Sequence, residues 1–314
     1  MLALLAGVLA ACAQSVITLQ HGAATTLFTV LDSAIVHAQS GDAIYLPGGP
    51  VASSASITIT KKLSIFGAGY RADSSAATQP TTLAGTILFK PGAEGSLITG
   101  ILAPNNDITL NCDNVSATRN LVNNIYIFGS GLFVEDNVVN TSVMGDGVTH
   151  INILIRKNVI YGYMEYIYNA NLFNNVFLQN GASIQANVNC NFANNIFYIS
   201  YSPTSFGNQG TFTNNLFTTD YNLPGNKVQA IGSIFTNYTV GAVWNLTQNF
   251  RLKAGCIGIK AGSDSTDVGI YGTSAPFKTS GLPFNPHIQS VSIPTATGPD
   301  GKLTISITVA AQNQ

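Results

Sequence analysis

The chain has 314 residues, of which 46% are hydrophobic and only 9% charged, where an ordinary globular protein carries about 25% charged. Thirteen basic against fourteen acidic residues leave a net charge of −1, which excludes the basic footprint of a nucleic-acid binder. A mean hydropathy of +0.25 would suit a membrane protein, but beyond the N-terminus no apolar run reaches the roughly 18 residues of a spanning helix, so no transmembrane span is expected.

In chain order, residues 1–13 (MLALLAGVLAACA) form an apolar run ending in small residues and are read as a secretory signal peptide. Ala11-Cys12-Ala13 fits cleavage before Gln14, whereas Leu9 to Cys12 fits a lipobox that would acylate Cys12; simple cleavage is favoured. Its removal leaves Cys112, Cys190 and Cys256, too dispersed for a disulfide framework or a zinc pair, so buried thiols are expected. Over residues 26–39, Leu27, Val30, Leu31, Ala34, Ile35 and Ala38 share one helical face before Gly41, which predicts a capping helix. Strands are expected over 43–46, 57–60 and 63–66, separated by glycine-rich turns.

An internal repeat follows. LFVEDNVV, ILIRKNVI, NLFNNVF, NFANNIF and TFTNNLF align on Asn137, Asn158, Asn175, Asn195 and Asn215, each copy reading apolar, polar, Asn, apolar. A period near 20 residues is too short for paired helices and suits one coil of a β-solenoid. Asparagine tolerates the left-handed backbone of a sharp turn, and its amide can bond to the equivalent residue one coil away. Of 31 asparagines, none lies in the first 104 residues and 29 lie between Asn105 and Asn249, which places the solenoid body there. At the C-terminal end, Leu303, Ile305, Ile307 and Val309 alternate with polar residues after Gly298-Pro299-Asp300-Gly301, which predicts a hairpin with the strand around 291–293.

With SGDAIYLPGG from Ser40, ITITKKLSIFGAGY from Ile57, the NN-[VIL]-F coils and AGSDSTDVGIYG from Ala261, the chain resembles the secreted right-handed parallel β-helix proteins of the pectin-lyase-like superfamily of outer-membrane bacteria. The resemblance implies an all-β, right-handed parallel β-helix with an N-terminal capping helix and a C-terminal β-hairpin. The expected division is a signal peptide (1–13), an N-terminal strand and helix (14–50), the β-helix (51–272) and an extension with the hairpin (273–314). Members of that superfamily include polysaccharide lyases, glycoside hydrolases, phage tailspikes and adhesins, so the resemblance speaks to architecture and not to activity.

A lyase of this type needs a base and carboxylates that hold calcium or a cation that neutralises the uronate; a hydrolase needs two carboxylates. From Tyr166 to Thr219 there are 54 consecutive residues without Asp, Glu, Lys or Arg. The best charged cluster is Glu135-Asp136 against Arg156-Lys157 one coil later, where stacking at about 4.8 Å makes cross-strand ion pairs. The catalytic alternative uses Asp136, Arg156, Lys157 and Glu165, with Asp146 nearby. Calcium could be held by Asp264 and Asp267, although a closing turn is preferred and no cofactor is expected. The four histidines carry no partner at ligand spacing, and the single Thr58-Ile59-Thr60 motif is too little for an ice-binding face. Tyr161, Tyr163, Tyr166 and Tyr168, with Tyr198 and Tyr201, offer flat faces for sugar rings beside amides that bond hydroxyls without charge. The sequence is therefore read as a non-catalytic secreted or cell-surface protein, structural or adhesive, that contacts polysaccharide or surface glycans. The alternatives are a polysaccharide lyase or hydrolase and a self-assembling surface subunit; an outer-membrane secretion partner is a further expectation.

Overall fold

In the computed structural model, residues 16–75, 78–178, 184–198 and 209–311 are described. The described chain is an all-β parallel solenoid of about eight coils, roughly 20 residues apart. Each full coil has three short faces. The first face stacks nine parallel strands, from Ala43–Tyr45 to Gln209–Thr213. The second runs from Gly49–Val51 to Lys227–Val228, and the third from Ser56–Ile59 to Ile184–Gln185. Leu121–Ile127 and Val138–Gly145 bend from the second face into the third, with a register shift between Val122 and Asn124.

Alternation drives the inner packing. One side chain of each strand enters a column inside the coil, such as Ile98, Ala117, Val134, Ile155, Leu172 and Phe192 on the first face. Aromatic residues in the late coils stack at coil spacing: Phe177 on Phe197 at 4.9 Å, Phe197 on Phe217 at 4.7 Å and Phe192 on Phe212 at 4.6 Å. Cys112, Cys190 and Cys256 are buried free thiols, as the sequence implied.

The column of amides is longer than the five repeats. Each ladder residue accepts, through Oδ1, the backbone N–H and the Nδ2 of its predecessor: Asn137 from Asn120, Asn158 from Asn137, then Asn175, Asn195, Asn215 and Asn226 in turn, all at 2.8–3.1 Å. The left-handed turn does not fall on these residues, however. It falls one position earlier, on Arg119, Asp136, Lys157, Asn174, Asn194 and Asn214, with φ between 53 and 58°. The ladder residue pairs across coils, and its predecessor makes the bend.

Both ends differ from expectation in extent. The helix covers only Leu31–His37, because Ala24–Phe28 instead pairs antiparallel with Ile17–His21 through a two-residue turn at Gly22, φ 57°. The β-branched and aromatic run TTLFTV favours strand over helix, and Leu27 and Val30 are accordingly exposed rather than on a buried helical face. Leu31, Ala34 and Ile35 do bury. Lys61 Nζ bonds the carbonyls of Ile35, Val36 and Ala38, a cation at the negative end of the helix dipole. Parallel pairing ends at Val228 rather than near residue 272. The remaining chain leaves the coil path and folds back along the outside of the solenoid, then ends in the expected hairpin of His287–Ser292 with Ser306–Ala310, where Val291 faces Ile307.

That returning chain buries a second core. Leu121, Val138, Val159, Val176, Ile196 and Leu216 point outward from the second face and pack with Ile234, Phe235, Phe250, Val268, Ile270 and Phe277. The following residues, Val122, Val139, Ile160, Phe177, Phe197 and Phe217, belong to the inner core or its aromatic stacks. Strands covered on both sides read as continuous apolar runs, hence VV, VI, VF, IF and LF after each ladder asparagine.

Asn175 has no exposed surface and carries five of the ladder bonds. Asn175→Ala removes the acceptor of the buried Asn158 backbone N–H and a donor to the Ile155 carbonyl, and should cost about 3 kcal/mol or more. Asn171→Ala, on the exposed side of the same coil, should cost less than about 0.5 kcal/mol. Denaturant midpoints of the two variants check the contrast.

Candidate functional site

Of the charged residues singled out in the sequence, Glu135, Asp136, Arg156 and Lys157 meet at the left-handed corner between the first and second faces. Parallel register sets Glu135 opposite Arg156. Arg156 Nε lies 2.8 Å from Glu135 Oε1, Lys157 Nζ lies 2.7 Å from the same oxygen, and Lys157 Nζ is 3.4 Å from Asp136 Oδ1. The expected cross-strand pairing is therefore present. It has a fifth member, Arg119, whose Nε is 3.4 Å from Asp136 Oδ2. Arg119, Asp136 and Lys157 occupy the left-handed position of three consecutive coils, so they stack as a buried column of alternating sign, plus, minus, plus.

A strap formed by residues 261–284 covers this corner and runs antiparallel to the progress of the coils. Asn214 Nδ2 donates to Ala261 O (3.3 Å), Asn194 exchanges bonds with Ser263 (2.9 and 3.0 Å), and Asn174 donates to Gly269 O (3.1 Å). Lys157 then donates to Ala275 O (2.7 Å) and Arg119 to Leu282 O (2.6 Å). Phe284 lies 3.5 Å from the Arg119 guanidinium, in cation–π geometry. At Gly100, φ 77°, a Cβ would stand 2.5 Å from Pro283, so the strap's close approach there requires glycine. Of the six left-handed corner side chains, all but Asp136 thus donate to a strap carbonyl or hydroxyl.

Burial pushes the Asp136 carboxyl up to about 6, with the Lys157 ammonium opposing the shift, the Glu135 carboxylate adding to it and the Arg119 guanidinium opposing it. Such a group beside a lysine is chemically capable of proton transfer, but Asp136 and Lys157 are buried under the strap and Lys157 is saturated by Glu135, Asp136 and Ala275. Glu165 does not join the cluster: it pairs with Met144 on the third face and accepts a hydrogen bond from Gln185. Asp146 pairs with His150 in an exposed turn. His21 also has a carboxylate partner, Asp42 at 2.6 Å, which sequence spacing did not reveal.

The tyrosines do not form one platform. Tyr161 and Tyr198 are buried under the returning chain, where Tyr161 donates to Gln248 and the Tyr198 hydroxyl accepts the Gly232 N–H at 2.8 Å. Tyr163 and Tyr166 are exposed on and beside the third face, and Tyr168 forms a bridge with Val188. Tyr201 and Cys12 lie outside the described residues. What the second face offers instead is a cleft of about 600 Å³, walled on one side by Asn105, Asn123, Asn140 and Thr141 and on the other by Tyr238 and the loop 241–244 with Trp244. Tyr161 is the one predicted tyrosine that lines it. Its sequence signal was faint: the chain's single tryptophan, and the asparagines three residues after ladder positions Asn120 and Asn137.

Asp264 and Asp267 close turns. Asp264 accepts from the Thr266 N–H and hydroxyl, which holds its carboxyl below the usual range, and Asp267 accepts the Lys260 N–H. Among the described residues no three His, Cys, Asp or Glu side chains converge as a metal site, and no helix is long and apolar enough to cross a membrane.

The Asp136 shift fixes a sign. A carboxyl at about 6 when folded and 3.8 when free binds its proton more tightly in the folded state. Its contribution to stability is fully present below the free value and is lost as pH rises through about 6. Melting temperature should therefore fall between pH 4.5 and 7.5, and Asp136→Asn, which keeps a residue type suited to the left-handed corner, should flatten that slope. In comparisons of this chain with family models, curated proteins and solved structures, none matched.

Proposed function

We propose that this chain is a non-catalytic exported β-solenoid of a cell surface or extracellular space, structural or adhesive, which contacts glycans through the charge-poor part of its exterior. One observation carries the reading: of the charges a sugar-cleaving site would draw on, Asp136 and Lys157 are buried beneath the strap and neutralised by Arg119, Glu135 and each other, while the more exposed Arg156 is paired with Glu135 and Glu165 stands apart on the third face. The outer ranks of the charge-free coils are built from amides and hydroxyls. Asn171, Asn191 and Thr211, for instance, form a hydrogen-bonded outer rank on the first face. The apolar segment 1–13 and the resemblance to the pectin-lyase-like superfamily support export.

The competing reading, a polysaccharide lyase or hydrolase, draws on the raised carboxyl of Asp136 beside Lys157. Incubating the purified chain with neutral and acidic polysaccharides, with and without calcium, and sizing polymer and protein by chromatography separates the two. Co-elution with polymer of unchanged length is the expected result. Shortened polymer overturns the non-catalytic assignment, and separate elution from every polymer overturns the glycan contact.

A further inference from the structure

The geometry points to the cleft beside Trp244 as a binding site for an uncharged oligosaccharide chain lying along the solenoid axis. This rests on the glycan-contacting reading above and gives it a place and a ligand class. The solenoid side of the cleft is supplied by consecutive coils: Leu102 with Asn105, Leu121 with Asn123, Asn140 with Thr141, then Tyr161 and Leu178. Five coils make four steps of about 4.8 Å, hence a trough about 19 Å long. That rise is close to the rise per ring of an extended pyranose chain, so successive rings would meet successive coils. A volume of about 600 Å³ lies in the range of ligand sites and suits a short oligosaccharide rather than a single small solute.

The lining chemistry selects among ligands. None of the lining residues is Asp, Glu, Lys or Arg; a uronate or phosphate would enter without a counter-charge. A wholly apolar ligand would strip water from Asn105, Asn140 and Thr141 and return no hydrogen bonds, at a cost of about 1–3 kcal/mol per group. A neutral sugar satisfies both sides, presenting C–H faces to Trp244 and hydroxyls to the amides.

The site is also built in advance. Asn123 is fixed at both ends of its amide, accepting from Thr141 Oγ1 at 2.6 Å and donating to Asp107 Oδ1 at 3.1 Å. Asn140 donates to Pro104 O at 3.2 Å, which orients its amide, while its Oδ1 and the whole Asn105 amide have no hydrogen-bond partner among the described residues. The tryptophan loop is tied down from three sides. Arg71 donates to Leu246 O (3.2 Å), Asn237 to Thr247 O (2.7 Å), and Gln248 bridges the Tyr161 hydroxyl and Val243 O. Trp244 packs edge-on against Tyr70 at 6.0 Å. A loop already held in place loses little entropy when a ligand arrives.

Because Trp244 is the only tryptophan, its fluorescence reports the cleft directly. The full chain is titrated with neutral hexose, pentose and N-acetylhexosamine oligomers of one to six rings, and with oligogalacturonate as the acidic comparison. The expected result is a saturable change in emission with at least one neutral series. Affinity should rise with length until about four rings and then level off, with the acidic series at least tenfold weaker. Trp244→Ala and the double variant Asn105→Ala/Asn140→Ala should each weaken binding at least tenfold by calorimetry at unchanged melting temperature. Tighter binding of the acidic series overturns the neutral class. Polymer co-elution that persists in both variants, without any fluorescence response in the unaltered chain, overturns this site while leaving the glycan-contacting reading intact. Loss of co-elution and of every titration response removes both.

Discussion

The structure depends on one unmet hydrogen bond per coil. Where the chain turns left-handed between the first and second faces, the backbone N–H after the bend cannot take its partner from the strand ladder, and buried it would cost roughly 1–3 kcal/mol. The next coil's asparagine supplies the acceptor, and its own N–H then depends on the coil after it, from Ile101 on Asn120 to Asn215 on Asn226. Closure of each corner is thus deferred axially, and the series ends where Asn226 Nδ2 turns back onto Phe212 O and Leu223 O. In the asparagine-free first hundred residues hydroxyls perform the same task. Thr81 Oγ1 accepts the Ala68 N–H and Ser96 Oγ the Leu63 N–H, both from buried positions.

This mechanism explains which features could be read from sequence. The repeat was visible because the ladder residue has one chemical solution and recurs at the coil period; register followed, and with it the contact of Glu135 with Arg156. Asn120 keeps the same local pattern as its successors, in RNLV, but lacks a neighbouring long repeat to align with. Arg119 was missed for the same reason, and its strap partner Leu282 is 163 residues away, a distance no local pattern bridges. The second core had its own signal in the sequence. Paired apolar residues after each asparagine cannot both enter one side of a strand, so VV, VI and IF already demanded an outer cover. The glycine-poor run at 24–30 carried a conflict of propensities instead, and strand pairing with Ile17–His21 decided it.

The corner column also shows two ways to hold the strap. Asn174, Asn194 and Asn214 suit a left-handed backbone and donate neutral amides to it. Arg119 and Lys157 make the same bend at roughly 1–2 kcal/mol each, and with Asp136 they bring buried charge, whose desolvation costs several kcal/mol per ion in the absence of partners. The arrangement holds because the charges alternate, so that each faces its opposite one coil away, and because the two cations also bond strap carbonyls. Removing one member leaves the others uncompensated, which makes the cluster an all-or-nothing fastening.

Alternation is the exception that accounts for the composition. A solenoid places equivalent residues about 4.8 Å apart, and two like charges at that spacing repel by about 1 kcal/mol in water and about 3 kcal/mol at an effective dielectric constant of 20. A repeated charge would incur this at every step, whereas stacked amides, hydroxyls and phenyl rings gain from the same proximity. The 54 charge-free residues from Tyr166 to Thr219 follow from the architecture before any ligand is considered. The exterior of those coils is therefore ordered at one coil per step and poor in charge, which is the property that the proposed contact with a neutral, periodic glycan draws on.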